Sequence, residues 1–276
     1  MKKQVKIFND EFSIDLTEEL DIKFLYFEEG NVDVITNSQD FPGKDGVTLG
    51  PTTFGPFPLT LNFSYKGSDT RDLRLIKQKM RNFLFVREPF FVWHSDMPGK
   101  KYAVICEENE NNDLTNSFAT FAVTFTVFKG YSESMYDTSH IRVNDDTWQF
   151  ESGIQINDED LIYKHNKSGF KIFNGSADKI DPLLDHNLAI YINIDAPNGF
   201  ILWNRTTDER FVYDGAVNST QAFTIKGVHP LLDGKRVGHN SNWQWITLEK
   251  GYNDFQFLGD GISNINIEFV FNFIYR

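Results

Sequence analysis

Residues 265–275 read INIEFVFNFIY, and this segment indicates the fold class more clearly than any other part of the chain. Apolar side chains occupy every second position, and polar or charged side chains separate most of them. A period of two places one face of a β-strand against a core and the other face in water. The predicted buried face carries Ile265, Ile267, Phe269, Phe271, Phe273 and Tyr275, and the opposite face carries Asn266, Glu268 and Asn272.

The same alternation recurs along the chain. Residues 59–65 and 121–127 are long examples, and shorter runs occur at residues 22–27, 32–36, 102–106, 188–194, 200–204 and 243–248. Asn198-Gly199 separates two of these runs and predicts a hairpin between them. Aromatic residues make up 15% of the chain, which favours sheets whose faces are filled by large flat rings. We therefore expect a soluble, mostly β protein.

One segment has helical spacing instead. Apolar residues recur at steps of three and four, which predicts an amphipathic helix at about residues 69–86. The apolar stripe consists of Leu73, Ile76, Met80, Phe83 and Leu84, and the basic face consists of Arg71, Arg74, Lys77 and Arg81. A basic helix face can bind phosphate, but a solvated surface is the simpler interpretation.

Residues 41–58 are rich in glycine and proline and predict a long loop. The loop is too long for a tight turn, and loops of this length tend to be functional. Since no nucleotide-binding motif is present, we expect an arm that reaches a neighbouring subunit; a mobile surface loop is the alternative. The candidate inter-subunit residues are Phe41, Pro42, Gly43, Gly46, Gly50, Pro51, Phe54, Gly55 and Pro56.

The length of 276 residues predicts two domains, because one ordinary core rarely fills so long a chain. Residues 131–147 are polar and lack a clear period, and a fresh series of β runs follows them. We therefore expect an N-terminal β domain at residues 1–130, a linker at residues 131–147 and a C-terminal β-sandwich at residues 148–276.

The chain carries 27 Lys and Arg against 39 Asp and Glu, a net charge of −12. Such acidity repels nucleic acid and anionic membranes, so neither is expected as a specific partner. Membrane insertion is not expected either, because no stretch is long and apolar enough. Cys106 is the only cysteine, which excludes an intrachain disulfide and a cysteine zinc site. Without a signal peptide, the chain is expected to fold in a reducing cytoplasm.

The motifs of catalysis are missing from the sequence. It contains no phosphate-binding loop, dinucleotide fingerprint, His-Glu-x-x-His or Gly-x-Ser-x-Gly. Six histidines are scattered singly, and no pair has the spacing of metal ligands. Adjacent carboxylates such as Glu28 and Glu29 would point to opposite faces of a strand. We therefore expect no catalytic residue, no metal, no cofactor and no enzymatic activity.

Trp243 and Trp245 lie two residues apart in a predicted strand and would project from the same face. Exposed paired indole rings stack on the faces of sugar rings in carbohydrate-binding sandwiches, whereas buried rings fill a core. Ile246 and Leu248 make the opposite face apolar too, which favours the core interpretation. The two tryptophans are nevertheless the candidate carbohydrate-stacking residues.

Short motifs follow the predicted elements in a fixed order. In the N-terminal half, a β run, the Gly/Pro-rich loop, a strand and one helix are followed by EPFFVW (residues 88–93) and PGKKYAV (residues 98–104). The C-terminal half contains FNG (residues 173–175), WNRTT (residues 203–207) and KGYN (residues 250–253). This layout resembles that of the distal tail proteins, a family of tail components of long-tailed phages (siphophages) that infect Gram-positive bacteria. The likeness spans nearly the whole chain.

The resemblance implies a fold and a role. The fold is an N-terminal tail-tube-like β-barrel or sandwich with one α-helix, followed by a galectin-like or carbohydrate-module-like β-sandwich. The role is that of a structural hub of the phage tail tip, or baseplate, in which a homohexameric ring lets DNA pass. The implied partners are other copies of the chain, the tail tube protein, a tail-associated lysin or tail fibre protein, and a receptor-binding protein. The implied location is the virion tail tip, after assembly in the host cytoplasm.

Two functions therefore remain open. A structural hub predicts an oligomeric ring and does not require exposed tryptophan. The alternative is a carbohydrate-binding module that recognises host cell-wall sugars through the C-terminal sandwich. That alternative predicts Trp243 and Trp245 in an open groove.

Overall fold

The computed structural model describes residues 3–67, 70–113, 118–140 and 161–276. The chain divides into two compact units, one that extends to Glu133 and includes Arg276, and one formed by Ser134–Tyr275. In the part of the chain that the structure describes, no helix is long and apolar enough to cross a membrane. Most regular structure is strand, which confirms the predicted fold class.

The N-terminal unit is built around an antiparallel sheet. Seven of its strands follow the order β2-β1-β7-β8-β9-β6-β3, and β4 and β5 form a separate two-stranded sheet. The elements are β1 (Val5–Phe8), β2 (Ser13–Asp15), α1 (Leu16–Glu19), β3 (Lys23–Glu29), β4 (Val34–Gln39), β5 (Thr48–Phe54), β6 (Phe57–Lys66), α2 (Thr70–Leu84), β7 (Phe90–His94), β8 (Lys100–Asp113) and β9 (Phe118–Val127). The short helix α1 was not predicted.

The alternation predicted at residues 59–65 and 121–127 forms the centre of this sheet. β6 and β9 pair antiparallel over ten positions, from Phe57 opposite Val127 to Lys66 opposite Phe118. Side chains at every second position are buried, among them Leu59, Leu61 and Phe125. The period of two therefore places one face of both strands in the core, as the sequence predicts.

The sheet curves strongly. β3 and β7 are separated in it by three strands, yet the rings of Phe24 and Phe27 lie 5.7 and 4.4 Å from the ring of His94. The hydroxyl of Tyr102 on β8 donates a 3.0 Å hydrogen bond to Glu29 at the end of β3. The curvature thus brings distant strands together over one core, as in a barrel.

Helix α2 confirms the predicted amphipathic segment. Leu73, Met80 and Leu84 are buried in the core of the N-terminal unit, and Ile76 and Phe83 pack against it. The basic face is mostly solvated, since Arg71, Arg74 and Arg81 are exposed. The steps of three and four therefore mark the buried side of the helix.

The C-terminal unit consists of two antiparallel sheets, in the orders β11-β20-β13-β16-β17-β18 and β12-β19-β14-β15. Their strands are β11 (Lys164–His165), β12 (Gly169–Asn174), β13 (Leu188–Asp195), β14 (Phe200–Asn204), β15 (Glu209–Tyr213), β16 (Phe223–Lys226), β17 (His229–Leu232), β18 (Lys235–Arg236), β19 (Gly251–Leu258) and β20 (Ser263–Phe271). Two short strands, β10 (Ser132–Ser134) and β21 (Ile274–Tyr275), belong to neither of these sheets. Short 3₁₀ turns occur at Thr138–His140, Pro182–Leu184 and Gly238–Asn240.

Aromatic side chains fill the space between these two sheets. The rings of Phe255 on β19 and Phe269 on β20 lie 4.8 Å apart, and those of Phe200 on β14 and Phe223 on β16 lie 5.2 Å apart. Each pair joins a strand of one sheet to a strand of the other. The unit is therefore a β-sandwich.

Two local predictions are wrong, one about strand pairing and one about burial. Asn198-Gly199 does not form a hairpin, because β13 and β14 belong to different sheets and the turn carries the chain from one sheet to the other. The alternation of residues 265–275 ends after Phe271, and Asn272 is buried instead of solvated. The side chain of Asn272 donates a 3.1 Å hydrogen bond to the carbonyl oxygen of Ser134, which satisfies its amide away from water.

Two residues of the expected linker pack within the C-terminal unit. Ser134 and Thr138, both within residues 131–147, are buried and hydrogen bonded to the C-terminal strand region. Residues from Ser134 to Tyr275 therefore belong to the C-terminal unit. Residues 141–147 of the expected linker lie outside the described residues.

Candidate assembly arm and aromatic pocket

A β-hairpin occupies much of the region predicted as a loop arm at residues 41–58. β4 and β5 pair antiparallel from Val34 opposite Phe54 to Gln39 opposite Thr48. Phe41, Pro42, Gly43 and Gly46 lie in the connection between the strands, Gly50, Pro51 and Phe54 lie in β5, and Gly55 and Pro56 follow it. The predicted loop is thus partly strand, and the hairpin begins before the predicted loop, at Val34.

Proline is compatible with β5 because of a bulge. The register shifts between Thr36 and Ser38, whose partners are Thr52 and Leu49. Gly50 and Pro51 therefore both lie opposite Asn37. A bulge leaves a residue outside the regular ladder, so Pro51 can lack an N–H group without removing a regular ladder bond.

Both strands of the hairpin are exposed along their whole length. Val34 and Leu49 are 63% and 68% exposed, and Ile35, Phe41 and Val47 are also exposed. A two-stranded hairpin is at best marginally stable in water, and clustered exposed apolar side chains mark interaction surfaces. We call residues 33–55 the assembly arm, because their exposed apolar side chains make this segment a candidate interaction surface.

The base of the assembly arm is held by close backbone contacts. The amide of Gly55 donates a 2.7 Å hydrogen bond to the carbonyl of Asp33, and the amide of Gly30 donates a 2.8 Å bond to that of Pro58. Gly130 has a φ of +71°, and a Cβ atom there would lie 2.7 Å from the carbonyl oxygen of Gly55. Only glycine satisfies both conditions without displacement of the backbone.

The long strands β6 (Phe57–Lys66) and β9 (Phe118–Val127) lie in the interior of the sheet and are paired on both sides. The strands at the two ends of the strand order are β2, which has three residues, and β3, in which Leu25 and Tyr26 are exposed. The edge available for another strand is therefore that of β3, which directly precedes the assembly arm in the chain.

The segment at residues 243–248 is not a strand, and Trp243 does not fill the core. Trp243 is 73% exposed and has a φ of +58°, which no regular strand allows. Trp245 is half-buried, while Ile246 and Leu248 are fully buried. The core interpretation is therefore wrong for Trp243, because the buried pair of the segment is Ile246 and Leu248.

Side chains hold this irregular segment against β15. Asn242 donates a 2.7 Å hydrogen bond from its side chain to the carbonyl of Arg210 and accepts a 3.1 Å bond from the amide of Val212. At the other end, the amide of Thr247 donates a 2.7 Å bond to the carboxylate of Glu209. These bonds replace a strand ladder, so the two tryptophans are displayed on a fixed backbone.

Trp243 and Trp245 line the same pocket, whose volume is about 540 Å³. The remaining lining residues include side chains that can donate or accept hydrogen bonds: His229, Arg236, His239, Ser241 and Gln244. No carboxylate of the described residues lines the pocket. Sequence spacing could not reveal this group, because β17, β18 and the 3₁₀ turn at Gly238–Asn240 approach residues 243–245 only in the folded sandwich.

The histidines have separate surroundings. His94 is buried among aromatic rings, His140 lies beside Asp137, and the ring nitrogen Nδ1 of His186 accepts a 3.0 Å hydrogen bond from the amide of Asp181. His229 and His239 both line the pocket of Trp243 and Trp245. Within residues 3–67, 70–113, 118–140 and 161–276, no three His, Cys, Asp or Glu side chains are grouped so that they could hold a metal ion.

The family model of the phage tail protein RIFT-related domain matches residues 14–127. No curated protein matches the chain significantly. Among solved structures, the Dit protein of phage SPP1 is 12% identical over 98% of this chain and 99% of its own, with a TM-score of 0.68. That structure is described as a paradigm of hub adsorption apparatus in Gram-positive infecting phages.

Two structures of the phage P2 baseplate in its activated conformation, with Ca and with Sr, are also similar. They cover 99% and 98% of this chain and 98% and 97% of their own, at 12% and 11% identity, with TM-scores of 0.46 and 0.43. Residues 14–127 thus carry a phage tail protein RIFT-related domain, and the chain has the fold of the distal tail proteins of siphophages, as the sequence resemblance predicts.

Proposed function

We propose that this chain is a structural hub of a phage tail tip, in which the N-terminal unit closes into a homohexameric ring. The assembly arm carries this proposal, because its exposed apolar strands need a covering surface and leave from a fixed base. A head-to-tail contact repeated around a closed ring buries the arm of every subunit and leaves none exposed. The phage tail protein domain at residues 14–127 and the similarity to the SPP1 hub protein support this role.

In this assembly the assembly arm of one subunit covers part of the next. The exposed edge of β3 lies beside the start of the arm in the chain and offers a second contact. The net charge of −12 favours a lumen through which DNA slides, since phosphate is repelled instead of bound. The ring connects the tail tube protein to a tail-associated lysin or fibre and to receptor-binding proteins. It has a structural and not an enzymatic role, and it assembles in the host cytoplasm.

The oligomeric state of the full chain tests this proposal. Light scattering at micromolar concentration and negative-stain images should show a ring of six copies. Leu49→Asp places a charge on the assembly arm and should dissociate the ring while each subunit stays folded, because a buried unpaired charge is costly only in the assembled state.

Leu183→Asp is the matched control, since Leu183 is a similarly exposed leucine of the C-terminal unit. It should leave the ring intact. Deletion of residues 43–55 should weaken the ring like Leu49→Asp. A chain that remains monomeric with its tail-tip partners present would contradict the proposal.

The second candidate function is a carbohydrate-binding module in the C-terminal sandwich that recognises host cell-wall sugars. A specific observation supports it: Trp243 is exposed and lines one open pocket together with Trp245, as that hypothesis requires. The two functions are compatible, since they use different units of the chain.

A further inference from the structure

The aromatic pocket of the C-terminal unit combines a stacking platform with a positive charge. Trp243 and Trp245 supply the flat apolar surface, and Arg236 supplies the formal charge. Lining residues with hydrogen-bonding side chains surround them. A pocket of this kind fixes a ligand by apolar contact and orients it by a few polar groups.

The platform is preformed. Residues 241–248 are tied to β15 by Asn242 and Thr247, and the backbone of Trp243 is held in the left-handed region. The indole ring of Trp243 also lies over the 3₁₀ turn, since a Cβ atom on Gly238 would meet its Cζ3 atom at 3.4 Å. An exposed bulky residue held in such a conformation is typical of binding sites. A ligand would therefore bind with little ordering of the protein.

The charge around the pocket is unusual for this chain. The protein carries 12 more acidic than basic residues, yet no carboxylate of the described residues lines the pocket. Arg236 is exposed and forms no ion pair with a described residue. The nearby Asp233 faces another way, because its carboxylate accepts a 2.9 Å hydrogen bond from the amide of Ala222. A guanidinium group left open in this way favours an anionic ligand.

We propose that this pocket binds saccharides that bear an anionic substituent, with the sugar ring stacked on Trp243 and the anion paired with Arg236. The proposal rests on the carbohydrate-binding candidate above and not on the ring assembly. A sugar ring has an apolar face for the indole and hydroxyl groups for Gln244, Ser241 and the histidines. A carboxylate or a phosphate provides the anion, and both give the planar or tetrahedral oxygens that an arginine binds.

Binding to three related probes tests the proposal on the full chain. Methyl glucoside, methyl glucuronide and methyl glucoside 6-phosphate differ only in having no charge, a carboxylate or a phosphate. Tryptophan fluorescence and ligand-observed NMR should show binding of at least one charged probe about tenfold tighter than that of the neutral one, and the better of the two identifies the anion. High salt should reduce this preference.

Two variants separate the two parts of the site. Trp243→Ala should lower the affinity for every probe by about tenfold, because the stacking surface is lost. Arg236→Gln should reduce the affinity for the charged probes to about the affinity for methyl glucoside. Trp203→Phe is the control, since Trp203 stacks against Arg210 at 4.5 Å and does not line the pocket; it should change nothing.

The possible failures are distinct. Equal binding of all three probes would overturn the anion preference but preserve the carbohydrate-binding candidate. No effect of any probe at roughly 50 mM would overturn both and leave the ring proposal untouched. If Trp243→Ala alters the oligomeric state without affecting the probes, the pocket belongs to a protein interface and the proposal is wrong.

Discussion

The hydroxyl of Thr138 donates a 2.7 Å hydrogen bond to the carbonyl oxygen of Phe269, which lies 131 residues further along the chain. The same hydroxyl accepts a 3.1 Å hydrogen bond from the amide of Phe271. Thr138 therefore takes the place of a strand neighbour beside Phe269 and Phe271, and all three groups are buried.

Thr138→Val should lower the free energy of unfolding of the C-terminal unit by about 2 kcal/mol. The isosteric change removes one donor and one acceptor and leaves the carbonyl of Phe269 and the amide of Phe271 unsatisfied. Thermal or urea unfolding of the full chain measures the loss. Ser139→Ala removes an exposed hydroxyl next door and should have an effect within about 0.5 kcal/mol. Equal stability of both variants would contradict the role of Thr138.

We expect a fragment that starts at Ser134 to fold alone as a sandwich. Ser134 donates a 2.8 Å amide hydrogen bond to the carbonyl of Phe273 and accepts a 3.0 Å bond from the amide of Phe273 on its hydroxyl. A fragment of residues 148–276 lacks these bonds and those of Thr138, so it should be less stable by about 3 kcal/mol. Urea unfolding of both purified fragments measures the difference. If neither fragment unfolds cooperatively, the two units depend on a shared core.

Gly130→Ala should destabilise the N-terminal unit more than Gly43→Ala. Both glycines have positive φ angles, of +71° and +85°, which cost alanine about 1 kcal/mol. At Gly130 the new methyl group would also lie 2.7 Å from the carbonyl oxygen of Gly55, whereas nothing lies within 4 Å at Gly43. We expect a total loss of about 3 kcal/mol for Gly130→Ala. Unfolding curves of the two variants check this. Equal losses of the free energy of unfolding would show that the base of the assembly arm can shift to accommodate the methyl group.

His94 should make the N-terminal unit sensitive to acid. Burial lowers the pKa of His94 from 6.5 to about 4; the charge of Asp96 opposes this change, and the charges of Lys100 and Lys3 add to it. In the unfolded chain the ring binds a proton below pH 6.5, but in the folded unit it does so only near pH 4. The contribution of the neutral His94 ring to the free energy of unfolding is therefore fully present above pH 6.5. It is lost as the pH is lowered towards 4, by about 3 kcal/mol in all.

His94→Leu removes the ionisable ring and tests this pH dependence. The free energy of unfolding, measured between pH 7 and 4, should fall less steeply for the variant than for the parent chain. His140→Leu changes an exposed histidine and should keep most of the original slope. If His94→Leu and the parent show the same slope, other groups cause the acid sensitivity.

The predicted elements are confirmed where one local period dominates. Leu73, Met80 and Leu84 follow a helical period and lie buried on α2, and Leu59, Leu61 and Phe125 follow a strand period and lie buried in the sheet. In such segments the pattern of apolar residues reports directly which face is buried. The predictions for Asn272 and Trp243 are wrong because a long-range contact decides each of them. Ser134 binds the side chain of Asn272, and β15 binds the segment of Trp243.

The sequence by itself determined that this protein is mostly β, that one amphipathic helix interrupts its N-terminal sheet, and that its order of elements resembles the siphophage distal tail proteins. Only the tertiary structure decided that β13 and β14 lie in opposite sheets, that β6 and β9 are interior strands, and that Trp243 is displayed beside Arg236 in a pocket. The physical reason is that burial of an apolar face is a local requirement with a short period. Strand pairing and pocket formation instead depend on contacts between residues far apart in the chain, and a short period in the sequence does not reveal such contacts.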